Sequence, residues 1–247
     1  MSEPTRDDIL YGALKLLQPA DGPRVSVDTV LLSAAVGLKR GESVIELGSA
    51  HGAVILILAR KYPHASRLEG LEIREDLVEM AVENARSNGL EGKVSFSQGD
   101  LKEIRTHYKP ESYEVVLMNP PYNDPGKSRV SPNSSKALAR HATACTLEDL
   151  ASAAKYLLKP KGRFYLVLRA SRAAEALCLS RQFALEPKRI RFVHPSPGKE
   201  ATAILMMAMK QARQGLVVEP PLFITDGKGK YTPELLAAYD LGGSPCL

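Results

Sequence analysis

Strand-like apolar runs alternate with helical ones along most of this chain, and that alternation limits what it can fold into. Residues 43–47 (SVIEL), 67–73, 93–96, 113–118 and 163–168 read as buried strands, being short, apolar and partly β-branched. Between them, residues 53–61, 75–88, 147–158 and 171–181 carry helical patterns. In the second of these, Leu77, Val78, Ala81, Val82 and Ala85 share one face, and Gly89 stands where a C-cap belongs. Repeated β-α-β units predict an α/β fold with a doubly wound, mostly parallel sheet and helices on both faces. Residues 188–194 and 201–210 are two further strands with no helix between them, so an antiparallel hairpin is expected at one edge.

Three segments lie outside the alternation. Residues 1–42 precede the first strand, with 28–38 helical. Residues 123–146 form a long polar connection, of a length that inside a compact domain is usually functional or disordered. Residues 216–247, with Pro220-Pro221 and a turn at Asp226-Gly227-Lys228-Gly229, read as an appendage of the main unit, 43–215. The apolar and charged fractions, 44% and 25%, are those of an ordinary globular protein. The apolar run 53–59 is far too short to cross a bilayer, and the acidic start MSEPTRDD lacks the pattern of a signal peptide. Neither a membrane partner nor a membrane address is expected, and the cytoplasm is the default location. Cys145, Cys178 and Cys246 are scattered, with no CxxC pair or Cys/His cluster, which argues against structural zinc or any other metal. A net charge of +5 is compatible with a polyanionic partner without requiring one. Oligomeric state is not legible.

In a doubly wound sheet, ligands sit beyond the carboxyl ends of the strands. The first strand runs into Glu46-Leu47-Gly48-Ser49-Ala50-His51-Gly52. Glycines there let the backbone approach a ligand, but the turn is neither a Walker motif nor GxGxxG. Glu46 would repel a pyrophosphate and suits a cation. Glu72, ending the second strand, can accept from both hydroxyls of a ribose. Asp100, after the third, can accept from an adenine amine while Leu101 packs on the ring. Together the three acids outline an adenosine pocket with a positive group near Glu46, the charge pattern of S-adenosylmethionine. A nicotinamide-dependent oxidoreductase fails on this first turn.

The order ELGSAHG, LEI, GDL, NPPY resembles a class I S-adenosylmethionine-dependent methyltransferase of the amino-methylating kind. Over nearly the whole chain the likeness is to the bacterial transfer-RNA adenine-N6 methyltransferases that act on position 37 of a valine tRNA. It is carried by LQPADGPRVSVDTVLLSAAV (17–36), LEPKRIRFVHPSPGKEATAILMMAMK and PPLFITDGKGKYTPEL. The resemblance implies a seven-stranded Rossmann-like sheet with its last strand antiparallel, and tRNA as partner. For S-adenosylmethionine it implies contacts from Arg24, Asp28, Glu46, Gly48, Ser49, Ala50, Gly52, Glu72, Ile73, Asp100, Leu101 and Asn119. Two departures stand out. The family usually reads GTGTG at the first turn, where this chain has Ala50 and His51, and Ala142 follows Arg140-His141 where an acid is usual.

At the end of the fourth strand stand Asn119, Pro120, Pro121 and Tyr122. Two prolines cannot continue a sheet, so the strand must stop there. An exocyclic amine conjugated to a ring is a poor nucleophile. Acceptors aimed at its N–H bonds stabilise the positive charge that grows on nitrogen. The Asn119 side-chain oxygen and the Pro120 carbonyl are those acceptors, Pro121 stiffens the turn, and Tyr122 offers a face for stacking. The set suits adenine N6, guanine N2, cytosine N4 or a glutamine amide equally well, so a protein-methylating enzyme remains a rival, as does a non-catalytic RNA-binding module. Lys127, Arg129, Lys136 and Arg140 in the loop, with Arg189 and Arg191 on one face of the sixth strand, are the candidate phosphate contacts.

Overall fold

The computed structural model describes residues 3–120, 145–242 and 247. The chain opens with an antiparallel hairpin, β1 (Thr5–Ile9) and β2 (Leu14–Gln18), followed by α1 (Val27–Ala35). Ser26 caps α1 in a reciprocal box with Thr29, which fixes its start. Then come β3 (Ser43–Leu47), α2 (Ala53–Lys61), β4 (Arg67–Glu72), α3 (Glu75–Ser87), β5 (Val94–Gln98), the short α4 (Ile104–His107) and β6 (Tyr113–Met118). The second half holds α5 (Leu147–Leu157), β7 (Leu158–Arg169), α6 (Ala173–Gln182), β8 (Leu185–His194) and β9 (Ala203–Lys210). Two short strands, β10 (Val217–Val218) and β11 (Leu222–Phe223), and α7 (Pro233–Ala238) complete it.

Among the described residues the main sheet runs β10-β8-β9-β7-β6-β3-β4-β5, with β11 also on β8. Only β9 is antiparallel to its neighbours. All five residues of β3 are buried, as a central strand covered on both faces must be. One apolar cluster, including Leu31, Leu56 and Val115, fills the face under α1 and α2. A second, including Tyr113, Leu150 and Phe164, fills the face under α5. The order reverses at β3: the chain steps outward through β4 and β5, then returns to β6 on the other side.

The hairpin of β8 and β9 forms as expected but does not end the sheet. The tail adds β10 and β11 in parallel along β8, giving nine strands where seven were expected. Arg189 and Arg191 are drawn into this addition. Arg189 donates to Glu219 at 2.6 Å, and Arg191, only 7% exposed, pairs with Glu234 and donates to the Pro220 carbonyl at 2.9 Å. Both arginines thus take part in holding the tail to β8; Arg191 is buried there, while the Arg189 side chain stays 39% exposed.

The N-terminal hairpin docks by an unusual device. Asn84 on α3 and Asn88 at its C-cap, one turn on, present their amides to the free edge of β2 as a neighbouring strand would. Asn84 accepts from Leu17 N–H (2.6 Å) and donates to the Leu17 carbonyl (2.9 Å). Asn88 does the same with Lys15, at 2.9 and 2.7 Å. Asn84 is buried and also donates to the His51 carbonyl at 3.0 Å, so it ties the hairpin to the turn after β3. Asn84→Ala leaves buried backbone groups unpaired and should cost about 2–3 kcal/mol in urea denaturation, against ~1 kcal/mol or less for Asn88→Ala at the solvent side. Equal losses would contradict this division of labour.

Candidate active site

The carboxyl ends of β5, β4, β3 and β6 lie side by side, so the topology alone brings Asp100, Glu72, the first turn and Asn119 into one row. At ~4.8 Å per strand the row spans about 14 Å.

Backbone hydrogen bonds lace these ends together. Gly48 and Ser49 both donate to the Leu71 carbonyl, at 2.8 and 3.1 Å, and Gly99 donates to that of Glu72 at 2.9 Å. The turn is built from left-handed residues, Gly48 (φ 74°), Ala50 (φ 47°) and Gly52 (φ 85°). Gly52 is required on two counts, since a Cβ there would also lie 2.7 Å from the Phe96 ring. Ala50 has the same handedness without glycine's freedom, at a cost of about 1 kcal/mol. Glu72 offsets it by accepting the Ala50 N–H at 2.9 Å, while its other oxygen takes the Arg74 N–H at 3.1 Å. Each carboxylate oxygen keeps a second lone pair, free to accept from a ligand hydroxyl.

Glu46 lies beneath the turn rather than at its surface, 2% exposed. Burial, then the charge of Glu72, holds its carboxyl well above the usual range, and only the Ile55 N–H favours its anion. A cation arriving nearby would restore the charge. Ser49 is buried against Gly70, where any Cβ would strike its hydroxyl. His51 is 3% exposed, and burial, with the Arg24 guanidinium next, lowers its imidazole to about 4, so it is neutral.

Among the described residues, the buried side-chain nitrogens and oxygens that lack a hydrogen-bond partner are Glu46 Oε2, Ser49 Oγ and the two ring nitrogens of His51. All lie within six residues of one turn. Buried polar groups are normally paired, so this concentration sets the turn apart from the rest of the described core.

The remaining expected contacts surround it. Ile73 is a 40% exposed apolar side chain beside Glu72, a surface for a flat ring. Asp100 Oδ1 accepts the Lys102 N–H at 2.9 Å, and Leu101 packs half-buried on the second core cluster. Asp28 sits in the first turn of α1. Arg24 is exposed and reaches back to the hairpin, donating to Asp7 at 2.8 Å, Thr5 at 2.9 Å and the Pro19 carbonyl at 3.1 Å. Asn119 is half-buried and Pro120 buried at the end of β6. Pro121, Tyr122, Lys127, Arg129, Lys136 and Arg140 lie outside the described residues. Sequence reasoning assigned no role to His51 or Asn84; the one signal was an imidazole among small turn residues. Among the described residues no group of three or more His, Cys, Asp or Glu could hold a metal, and no helix is long and apolar enough to cross a membrane.

This is the fold and ligand-facing edge of a methyltransferase. A family profile described as a methyltransferase domain matches residues 38–196, and the chain belongs to that family. A tRNA1(Val) (adenine(37)-N6)-methyltransferase of Aeromonas hydrophila subsp. hydrophila is 29% identical over 198 residues, 79% of this chain and 81% of that protein. One of the same name from Porphyromonas gingivalis is 28% identical over 220 residues, 85% of each. Among solved structures, a predicted O-methyltransferase from Agrobacterium tumefaciens superposes with a TM-score of 0.73 at 21% identity, covering 88% of this chain and 97% of its own. The family's methyl donor is S-adenosylmethionine. The site fits it: the Glu72 carboxylate for a ribose, the exposed Ile73 side chain for the base, and a turn of left-handed small residues that lets the backbone come close.

The buried imidazole has a measurable consequence. It stays neutral in the fold while the unfolded chain takes up a proton near pH 6.5, so stability falls as pH drops from about 6.5 towards 4. Between pH 7 and 5 the loss is roughly 2 kcal/mol. In urea denaturation at the two pH values, His51→Asn should remove most of that increment; an unchanged increment would place the proton elsewhere.

Proposed function

We propose that the protein transfers a methyl group from S-adenosylmethionine to the exocyclic N6 of an adenine in a tRNA. The observation that carries the methyl-donor half is the Glu72 carboxylate at the end of β4, oriented by the Ala50 and Arg74 N–H groups beside the exposed Ile73, in a chain that belongs to a methyltransferase family. The choice of adenine in tRNA rests on the relatives that share about four-fifths of their length with this chain.

The bound donor supplies an electrophilic methyl group on a sulfonium. The chain's residues do the rest by position and charge. Glu72 accepts from the ribose hydroxyls with the lone pairs that Ala50 and Arg74 leave free. Ile73 and Leu101 hold the adenine ring, and Asp100 accepts from its amine. Asn119, at the next strand end, accepts from one N–H of the target amine, and the Pro120 carbonyl accepts from the other. This draws the nitrogen lone pair towards the methyl group and stabilises the charge that develops. No strong base is needed, because the methylated nitrogen is acidic enough to lose its proton to water. Tyr122 stacks on the base. Phosphate contacts fall to Lys127, Arg129, Lys136, Arg140 and the exposed part of Arg189, with Arg191 buried in its pair with Glu234.

The test is methylation of unmodified tRNA by the purified protein, read as nucleosides by mass spectrometry. N6-methyladenosine is expected; methylglutamine in protein with no methylated nucleoside would overturn the reading. Asn119→Ala should lower the single-turnover rate by about two to three orders of magnitude, with S-adenosylhomocysteine affinity little changed. A rate near that of the parent would reduce the motif to a turn.

A further inference from the structure

The tail adds strands to β8, and the transfer just described gives them no task. Register fixes where they end. Met118 of β6 lies level with Leu166 of β7, that residue with Met206 of β9, and Met206 with Ile190 of β8. β8 then continues to His194, so its turn into β9 stands about 10 Å past the level of Asn119. The β8–β9 hairpin therefore rises above the row of strand ends, on the side away from Glu72 and Asp100. β11 runs beside it, with Phe223 level with His194, and brings a second turn to the same place.

Hydrogen bonds hold the two turns in shape. Thr225 donates its N–H and its hydroxyl to the Pro195 carbonyl, at 2.9 and 3.0 Å. Asp226 Oδ1 accepts the N–H groups of Lys228 and Lys230, at 2.7 and 3.2 Å, and Gly227 (φ 83°) and Gly229 (φ 84°) supply the left-handed positions. A Cβ on Gly227 would lie 4.0 Å from Pro197 Cδ, so the turns sit side by side. They present Lys199, Lys228 and Lys230, all exposed. Among the described residues no carboxylate pairs with any of the three, whereas Lys188, Arg189, Arg191 and Lys210 of the same hairpin all donate to protein acceptors. The acids in these turns are Glu200, which is exposed, and Asp226, which is taken up by its own turn.

We propose that Lys199, Lys228 and Lys230 form a docking surface for the phosphate backbone of the RNA substrate, beside the site of methyl transfer rather than within it. The proposal rests on the tRNA reading above and deepens it. A base held at Asn119 is one nucleotide of a folded chain, and its flanking backbone must leave on the side that the methyl donor does not occupy. The raised hairpin stands on that side, three strands and about 14 Å along the sheet from β6. Lysines carried on fixed turns need no backbone ordering when phosphates arrive, and each contact releases counterions. Such contacts set register and orientation and read no sequence, so this surface aligns the RNA and leaves the choice of base to the row.

Equilibrium binding of unmodified tRNA between about 50 and 200 mM salt tests the proposal without depending on methyl transfer. A parent protein that binds tRNA without methylating it would remove the transfer reading and leave the docking surface standing; one that does not bind tRNA overturns the proposal. The triple variant Lys199→Ala, Lys228→Ala, Lys230→Ala should bind tRNA about tenfold or more weakly, with a log–log salt slope shallower by about two to three. Its affinity for S-adenosylhomocysteine should stay within about twofold. Arginine at the same three positions should restore tRNA binding, because the charge and not the lysine shape is what phosphates meet. Unchanged affinity and slope in the alanine variant would return these lysines to solvent or to an acidic protein partner. Matching loss of S-adenosylhomocysteine binding, or no recovery with arginine, would make the effect structural. Each of those results overturns the proposal.

Discussion

Two hydrogen bonds accepted by one carboxylate organise the row of strand ends. Glu72 ends β4, yet it holds the N–H of Ala50 in the turn after β3 and of Arg74 at the start of α3. The turn needs this support, because Ala50 stands in a conformation that an L-residue with a Cβ adopts at a cost. Once the turn is fixed, Gly52 can start α2 against Phe96, Ser49 can fill the space left by Gly70, and His51 is pressed into the interior. The unpaired atoms at its base are a consequence of that compression.

The same logic links the N-terminal hairpin to the site. Asn84 pairs with β2 on one side and with the His51 carbonyl on the other, so the hairpin, α3 and the turn form one hydrogen-bonded unit. Arg24 follows the hairpin and is oriented by Asp7, Thr5 and Pro19, all within it or just beyond. The hairpin thereby braces the turn after β3 as well as extending the core through Leu14 and Leu16. At the opposite side of the sheet the tail behaves differently. It adds strands to β8, three strands along the sheet from β6, and takes up Arg189 and Arg191 in ion pairs.

The central strands were legible because each is buried on both faces and needs a continuous apolar run. The expected bounds 43–47 and 113–118 coincide with β3 and β6, and the expected first helix after β3 coincides with α2. Glu72 and Asp100 fell at strand ends, where pattern alone places them. The hairpin was missed because β1 reads TRDDI, a polar strand held by β2 rather than by a core. β10 and β11 are two residues each, too short to show any period. The fate of Arg189 and Arg191 depended on Glu219 and Glu234, about 30 and 43 residues further on, a pairing that no local pattern encodes. His51 was legible only as a departure from the family's turn; that it is buried emerges from packing with the hairpin.

The central claim is that the turn after β3 and the end of β4 together hold the methyl donor. Amide hydrogen exchange with and without S-adenosylhomocysteine tests it most directly. The account predicts slowed exchange in residues 48–53 and 72–74, with a smaller effect at 99–101 and none in the tail strands 217–223. Unchanged exchange across 48–53, or protection confined to the tail, would contradict it.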